Sequence, residues 1–462
     1  MSFFDCTSYE LTCSTESFSY RSPMKFGGRV VNDVTLLNVL CTIENARGIT
    51  ARGFGSMTMG VVWAWPSRLL DPKTILDVVV ELGQRLVRDA AECPVQGHPL
   101  RVCMELAKRR GEIAAELGAQ RNLPEPIPPL AQLLAASPLE AAIFDAHGKA
   151  AGKSCYQLLG REHLGGDLSE FLGDEFRGVW LDQLIASEPA PEMPLYHLVG
   201  ALDRIFDTDP GAPIGDGLPE SLQQWIRRDS LTHLKIKLDG ADGEWDCARV
   251  LAVDQCASMG PRGEDAGWSF SLDFNERCEN ADYVLRLLDA IEKISPRAMG
   301  RIQYLEQPTA RDLGALPEKP MHRVAQRLPV VIDESLVDYA SLLRARELGY
   351  SGVAIKACKG HAEALLMAAA ARHHGMFLCV QDLTCVGASF LHSAALTAHL
   401  PGAAAIEGNG RQYAPAANER WEDYFPGLFN VRGGTLPTAR LCHPGLGYEV
   451  PEELLQRAFP AR

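Results

Sequence analysis

Across the second half of the chain, short apolar runs that end near a charged residue alternate with longer stretches whose apolar positions recur every three to four residues. The runs are PLYHLV, HLKIKL, FSLDF, IQYLE, VVID, VAIK, FLCVQ and AAIE. Between them, ADYVLRLLDAIEKI sets Val284, Leu287, Leu288, Ile291 and Ile294 on one helical face, and HAEALLMAAAARHHG stops at a glycine as a helix should. The neighbours His373 and His374 are expected to close that helix pointing away from each other, and not to act as ligands. Alternation of strand and helix predicts a parallel sheet, and eight strands close a barrel; an open doubly wound sheet is the competing topology. The charged strand ends are evenly spaced. From Lys237 through Asp273, Glu306, Asp333, Lys356 and Asp382 to Glu407 the gaps are 36, 33, 27, 23, 26 and 25 residues. One unit of an eightfold barrel takes roughly 31 residues.

The first half reads differently. From about Met24 to Trp65, VTLLNVLCTIE and the turn-rich NARGITARGFGSMTMG predict an antiparallel meander. Helices follow over Pro72–Ala91 and Leu100–Leu117. A third is expected to start at SPLEAAIFDAHGKAAG, with Ser137 as N-cap, Pro138 at the first position, Glu140 completing a capping box and Gly152 as the stop. Residues 161–192 are acidic and aperiodic, and are expected to be an insertion or linker between two domains.

Composition narrows the function. A chain of 462 residues, 46% hydrophobic and 23% charged, can bury a large core. A formal charge of −14 argues against a nucleic-acid backbone or an anionic membrane as partner. No run reaches the ~18 apolar residues of a membrane span, and the start lacks the basic and apolar regions of a signal peptide, so a cytoplasmic location is expected. Thirteen cysteines, an odd number without any C-x-x-C pair, suit reduced thiols. No glycine-rich phosphate loop falls in a strand–helix context, which argues against a nucleotide cradle.

The strand ends carry the candidate chemistry. HLKIKL alternates strictly, so Lys235 and Lys237 share a face; in a barrel whose outer face is covered by helices, both point inward and need counter-charges. Asp273, Glu306 and Asp333 supply them from three successive strands. Three inward carboxylates repel one another unless a cation lies between them, and oxygen-only ligation selects Mg²⁺. Asn275 shares a face with Asp273 and could orient a ligand from behind, whereas Glu334 should point the other way. Lys356 would face Lys237 across the barrel, giving two bases for abstraction of a proton α to a carboxylate, with an enediolate as intermediate. Lys359, beyond the strand end, is expected to be solvent-exposed. Asp382, Glu407, Asn409 and Arg411 are expected near the mouth, setting specificity.

The order K-x-K, D-x-N, E-x-P, D-E-S and K, with LEAAIFDAHGKAAGKSCYQLLG ahead of it, resembles the muconate lactonizing enzyme/mandelate racemase branch of the enolase superfamily over about residues 22–412. The resemblance implies an α/β fold: a modified (β/α)8 TIM-type barrel under an α+β capping domain, with loops near Phe26–Arg29 and Gly55–Gly60 closing the site. It implies Mg²⁺ on Asp273, Glu306 and Asp333, Lys237 and Lys356 as acid/bases, and Lys235 supporting the enolate. CKGHAE after Lys356 departs from the Gly-Gly common in the family. FLCVQDLT has no histidine, which favours lysine chemistry over a His–Asp base. The domain layout expected is a cap over 1–160, the insertion over 161–192, the barrel over 193–412, and a segment 413–462 packing back on the cap. The activity expected is that of an isomerase, a racemase or epimerase acting on a small-molecule carboxylate as a homo-oligomer. Cycloisomerisation or dehydration on the same scaffold, and a non-catalytic metal-stabilised binding protein, are the alternatives.

Overall fold

Period-two alternation at the start of the chain yields two long antiparallel strands. The computed structural model describes residues 5–26, 29–265, 267–314 and 320–460. In it β1 (Cys6–Phe26) pairs with β2 (Arg29–Asn45), and β2 with β3 (Thr50–Thr58). The meander therefore begins at Cys6 and not at Met24. β1 escapes notice because it has no aliphatic run. Tyr9, Leu11 and Cys13 are half-buried while Ser8, Glu10 and Thr12 stay exposed, as befits an edge strand covered on one face. Helices Pro72–Glu92, Pro99–Gln120 and Pro129–Ala151 pack beside this sheet.

The third of these helices corrects the expected start. It begins at Pro129, so Ser137 is no cap and Pro138 lies inside the helix. Pro138 has no N–H to offer the carbonyl of Leu134, and the Ser137 hydroxyl donates to that oxygen instead at 2.8 Å. Glu140, expected in a capping box, is buried and accepts the N–H of Ala362 at 3.0 Å, tying this helix to the first turn of the helix His361–His373. Gly152 does end the helix in the left-handed region, at φ 64°. β3 lies directly on the helix backbone: a Cβ on Gly55 would stand 2.0 Å from the Pro138 carbonyl oxygen.

All eight expected strands form. β4 (Met193–Val199), β5 (His233–Lys237), β6 (Ser269–Asp273), β7 (Ile302–Glu306), β8 (Val330–Ile332), β9 (Gly352–Ile355), β10 (Phe377–Val380) and β11 (Ala403–Glu407) are parallel neighbours in chain order. Pairing of Ile406 with Leu195 and Glu407 with Tyr196 closes the ring. β12 (Thr435–Leu436) adds antiparallel to β4 outside it. Tyr196, Tyr304, Val331, Ala354, Cys379 and Ala405 fill the interior. Helices cover the outside, and Val284, Leu287, Leu288 and Ile291 are buried as the period demands; Ile294, last of that set, is exposed because the helix ends there.

Residues 161–192 form only turns and short helices, yet bury Leu164, Leu168, Leu172, Phe176, Leu181 and Ile185. The chain after the barrel returns to the N-terminal half: Leu446 N–H donates to Asp145 at 2.9 Å, and Phe459 packs edge-on against Phe54. All thirteen cysteines are free thiols. Among the described residues no helix is long and apolar enough to cross a membrane.

Candidate active site

Parallel strands in one register bring their last residues to one end of the barrel, and there the charged side chains meet. Lys235 Nζ lies 2.9 Å from Glu306 Oε1, 3.0 Å from Glu407 Oε2 and 3.1 Å from Asp273 Oδ2. Lys237 Nζ contacts the same Asp273 oxygen at 2.5 Å. Across the ring, Lys356 Nζ is 2.7 Å from Asp333 Oδ2. Every one of these side chains is buried.

Burial alone would neutralise each group; the partners decide the outcome. Burial pulls the Lys235 amine down, but Glu306, Glu407 and Asp273 outweigh it and hold it well above the usual lysine range. Lys356 is likewise pulled down by burial and held above its ordinary value by Asp333. Burial would raise Asp273 and Asp333, yet Lys237 with Lys235, and Lys356 with Lys359, keep both below the usual carboxylate range. Glu306 differs: burial and then the Asp273 charge push it up despite Lys235. It is the acid most short of positive charge, and it stands between the other two on the strand ladder. Three oxygen-donor side chains on consecutive strand ends, with an unrelieved negative charge in the middle, fit a hard divalent cation such as Mg²⁺.

The remaining expectations divide. Glu407, Asp382 and Asn409 do line the mouth. Asn409 Nδ2 donates to Glu407 at 2.6 Å, and Asp382 accepts the N–H groups of Cys385 and Asn409 at 2.6 and 2.8 Å. Burial and Glu407 push Asp382 up to about 7. Asn275 leaves the strand at φ 47° and uses its backbone N–H, at 2.9 Å, to hold Asp273 Oδ1. Glu334 turns away from the cavity but is buried, its carboxyl raised by burial and by Asp333.

Three expectations fail. Arg411 does not reach the mouth; its guanidinium pairs with Asp229 and His197 and stacks 4.8 Å from the Trp225 ring, because Asp229 is a buried acid needing a counter-charge. Lys359 is not exposed. The single turn Ala357–Lys359 folds it back so that Nζ donates to the Asp333 carbonyl at 2.5 Å and lies 3.2 Å from Asp333 Oδ1. His373 and His374 do not diverge: their ring centroids are 5.3 Å apart, the helix having ended between them.

Two residues were not anticipated. Trp63 follows β3 and drops its indole onto the site, Nε1 donating to Asp333 Oδ2 at 3.1 Å while Lys356 Nζ lies 4.4 Å from the ring centre. Gln381 donates to Glu306 Oε2. The i, i+3 spacing in KACK was the available sign for Lys359; for Trp63 the sequence offers none. Gly27 and Gly28, in the first expected closing loop, lie outside the described residues. Residues 55–58 of the second belong to β3, and Met59 and Gly60 lead from it over the mouth.

Between barrel and sheet is a cavity of about 490 Å³. Its floor is the charged set. Its upper wall is aliphatic, built by Val31, Val34, Met59, Val61 and Leu383, with exposed Asp33, Asp71 and Lys73 on the solvent side.

A family described as Enolase C-terminal domain-like matches residues 217–454. No curated protein matches the sequence. Solved structures similar to it include N-succinyl Arg/Lys racemase from Bacillus cereus ATCC 14579, with 16% identity, 98% of both chains covered and a TM-score of 0.60. The 2-chloromuconate cycloisomerase from Rhodococcus opacus 1CP is similar at 16% identity, over 98% of this chain and 99% of that one, with a TM-score of 0.58. So is a dipeptide epimerase from Enterococcus faecalis V583 complexed with Mg and the dipeptide L-Leu-L-Tyr, at 16% identity over 96% and 99% of the two chains, TM-score 0.58. At such identity the likeness establishes a shared fold.

Proposed function

The chain belongs to the mandelate racemase/muconate lactonizing enzyme branch of the enolase superfamily, and on that premise we propose that it is a Mg²⁺-dependent racemase or epimerase acting at the carbon α to a carboxylate. The observation that carries the reading is the placement of Lys237 and Lys356. Lys237 ends β5 and Lys356 directly follows β9, four strands apart in a ring of eight, and so they face each other across the mouth. A carbon held between them presents one face to each amine. With a cation on the three acids, carboxylate charge would be drawn away from the amines, so that one lysine can be neutral. That lysine takes the α-proton on one face, and the other, as ammonium, returns a proton to the opposite face, so that configuration inverts and the two lysines exchange charge states.

A divalent cation held by Asp273, Glu306 and Asp333 would supply positive charge where the substrate carboxylate becomes electron-rich. Lys235 adds a fixed ammonium beside it, locked by three carboxylates. Trp63 holds Asp333 and lies against the Lys356 amine, fixing the direction of that base. The aliphatic wall excludes water and favours a substrate whose remainder is largely apolar. The dipeptide epimerase and the racemase among the similar structures support the reaction type, and the Mg complex supports the metal. Free thiols throughout support a cytoplasmic protein.

Incubation with Mg²⁺ in D₂O and a set of N-acyl amino acids and dipeptides tests the proposal. We expect α-deuterium with inversion for apolar members of the set. Exchange accompanied by conversion to another product assigns cycloisomerisation or elimination instead, and no exchange with any acid leaves a binding protein.

A further inference from the structure

Far from the barrel mouth, the 161–192 segment presses a single helical turn (Asp174–Phe176) against the end of the helix His361–His373. Phe176 is fully buried there, its ring centroid 4.5 Å from that of His373, 5.8 Å from His374 and 5.6 Å from Tyr339. Anchored by Phe176, the preceding residue Glu175 faces both imidazoles. Glu175, His373 and His374 each offer one ligand atom, and these atoms all lie within 4.8 Å of one another. The Tyr339 hydroxyl joins the group: it donates to Glu175 and lies 2.9 Å from His374 Nε2, with its ring stacked on that of His374.

We propose that Glu175, His373 and His374 form a second metal site, for a divalent transition-metal ion of the Zn²⁺ type. Two imidazoles and one carboxylate are the donor set of a borderline ion, in contrast to the oxygen-only set at the barrel mouth. With bonds of about 2.1 Å, tetrahedral ligand atoms stand about 3.4 Å apart, so the side chains must draw in by roughly an ångström. Glu175 and His373 are exposed and free to make that adjustment, and the fourth position is open to water. Tyr339 would remain as the hydrogen-bond partner that orients Glu175. The site is a clasp. It would fasten the 161–192 segment to the helix that follows Lys356, and would alter stability without touching the reacting atoms.

The test is a Zn²⁺ titration by calorimetry in saturating Mg²⁺, using full-length protein with exposed Cys93 and Cys442 changed to serine so that thiols do not compete. One equivalent of Zn²⁺ is expected to bind and to raise Tm by about 5 °C. His373→Ala and Glu175→Gln should each weaken binding about tenfold or more, and Tyr339→Phe about tenfold. Racemase turnover with Mg²⁺ should be unchanged in all three variants. Failure of the parent protein to bind an equivalent of Zn²⁺ overturns the proposal, whether or not any variant folds. Equal binding by the parent and by His373→Ala/His374→Ala also overturns it.

Discussion

The floor and the upper wall of the cavity enclose the same space by opposite means. On the floor, Lys235, Lys237 and Lys356 meet Asp273, Glu306, Asp333 and Glu407, all buried and all held at strand ends by ion pairs of 2.5–3.1 Å. The wall is Val31, Val34, Met59, Val61 and Leu383, whose side chains carry no charge to pair. A buried charge is tolerable only with its partners in place, so each floor residue depends on the others. Wall residues make many weak contacts, none of which depends on one neighbour. On the proposed function, the barrel would fix what chemistry can happen, and the sheet above it would set which acids are admitted.

Breaking the floor should have the largest effect. Asp333→Asn removes the carboxylate paired with both Lys356 and Lys359 and, on the proposed function, a cation ligand, and we expect turnover to fall by about a thousandfold or more. Wild-type-like steady-state kinetics in Mg²⁺ would remove Asp333 from the site. Lys356→Ala should suppress one stereochemical direction far more than the other; measured isotope exchange from each enantiomer that fell equally would defeat the two-faced mechanism. On the wall, Val34→Asp should raise KM for apolar acids by about ten- to a hundredfold with kcat little changed. A fall in kcat alone would mean that the wall takes part in the chemistry. Trp63→Phe keeps the ring and loses the N–H to Asp333, and should cost only a few-fold in kcat.

The smallest effect sharpens the contrast within the floor itself. Asp382 has backbone N–H partners in place of an ammonium, and burial with Glu407 pushes it up to about 7. An unfolded aspartate titrates near pH 3.9. Between about pH 4 and 7 the folded chain therefore binds more protons than the unfolded one, and its contribution falls as pH rises through that window, then levels. Denaturation midpoints across pH 4.5–8 should show a shallower decline in Asp382→Asn than in the parent. A residual slope is expected from Glu140 and Glu363, which burial also raises to about 7.

Much of the floor was legible in the sequence because a barrel converts spacing into position. Strict alternation in HLKIKL leaves no freedom about where Lys235 and Lys237 point, and each hydrophobic strand delivers its terminal acid to the same rim. What was misread depended on contacts between distant segments. Arg411 was drawn to Asp229 on another element, Lys359 was folded back by one turn, and Ser137 served a carbonyl orphaned by the proline beside it. The wall could not be read at all. Val31, Val61 and Leu383 come from three separate stretches, and aliphatic residues look alike in a core or over a ligand.

Closure of the ring between β11 and β4 has a consequence for assembly. Glu407 is a pairing residue at that junction and also the partner of Lys235 on β5. A strand docked two positions out of step would offer the lysine the methyl group of Ala405 and leave it two carboxylates, Glu306 and Asp273, in place of three. The register of the last strand and the charge balance of the mouth are thus coupled through one side chain.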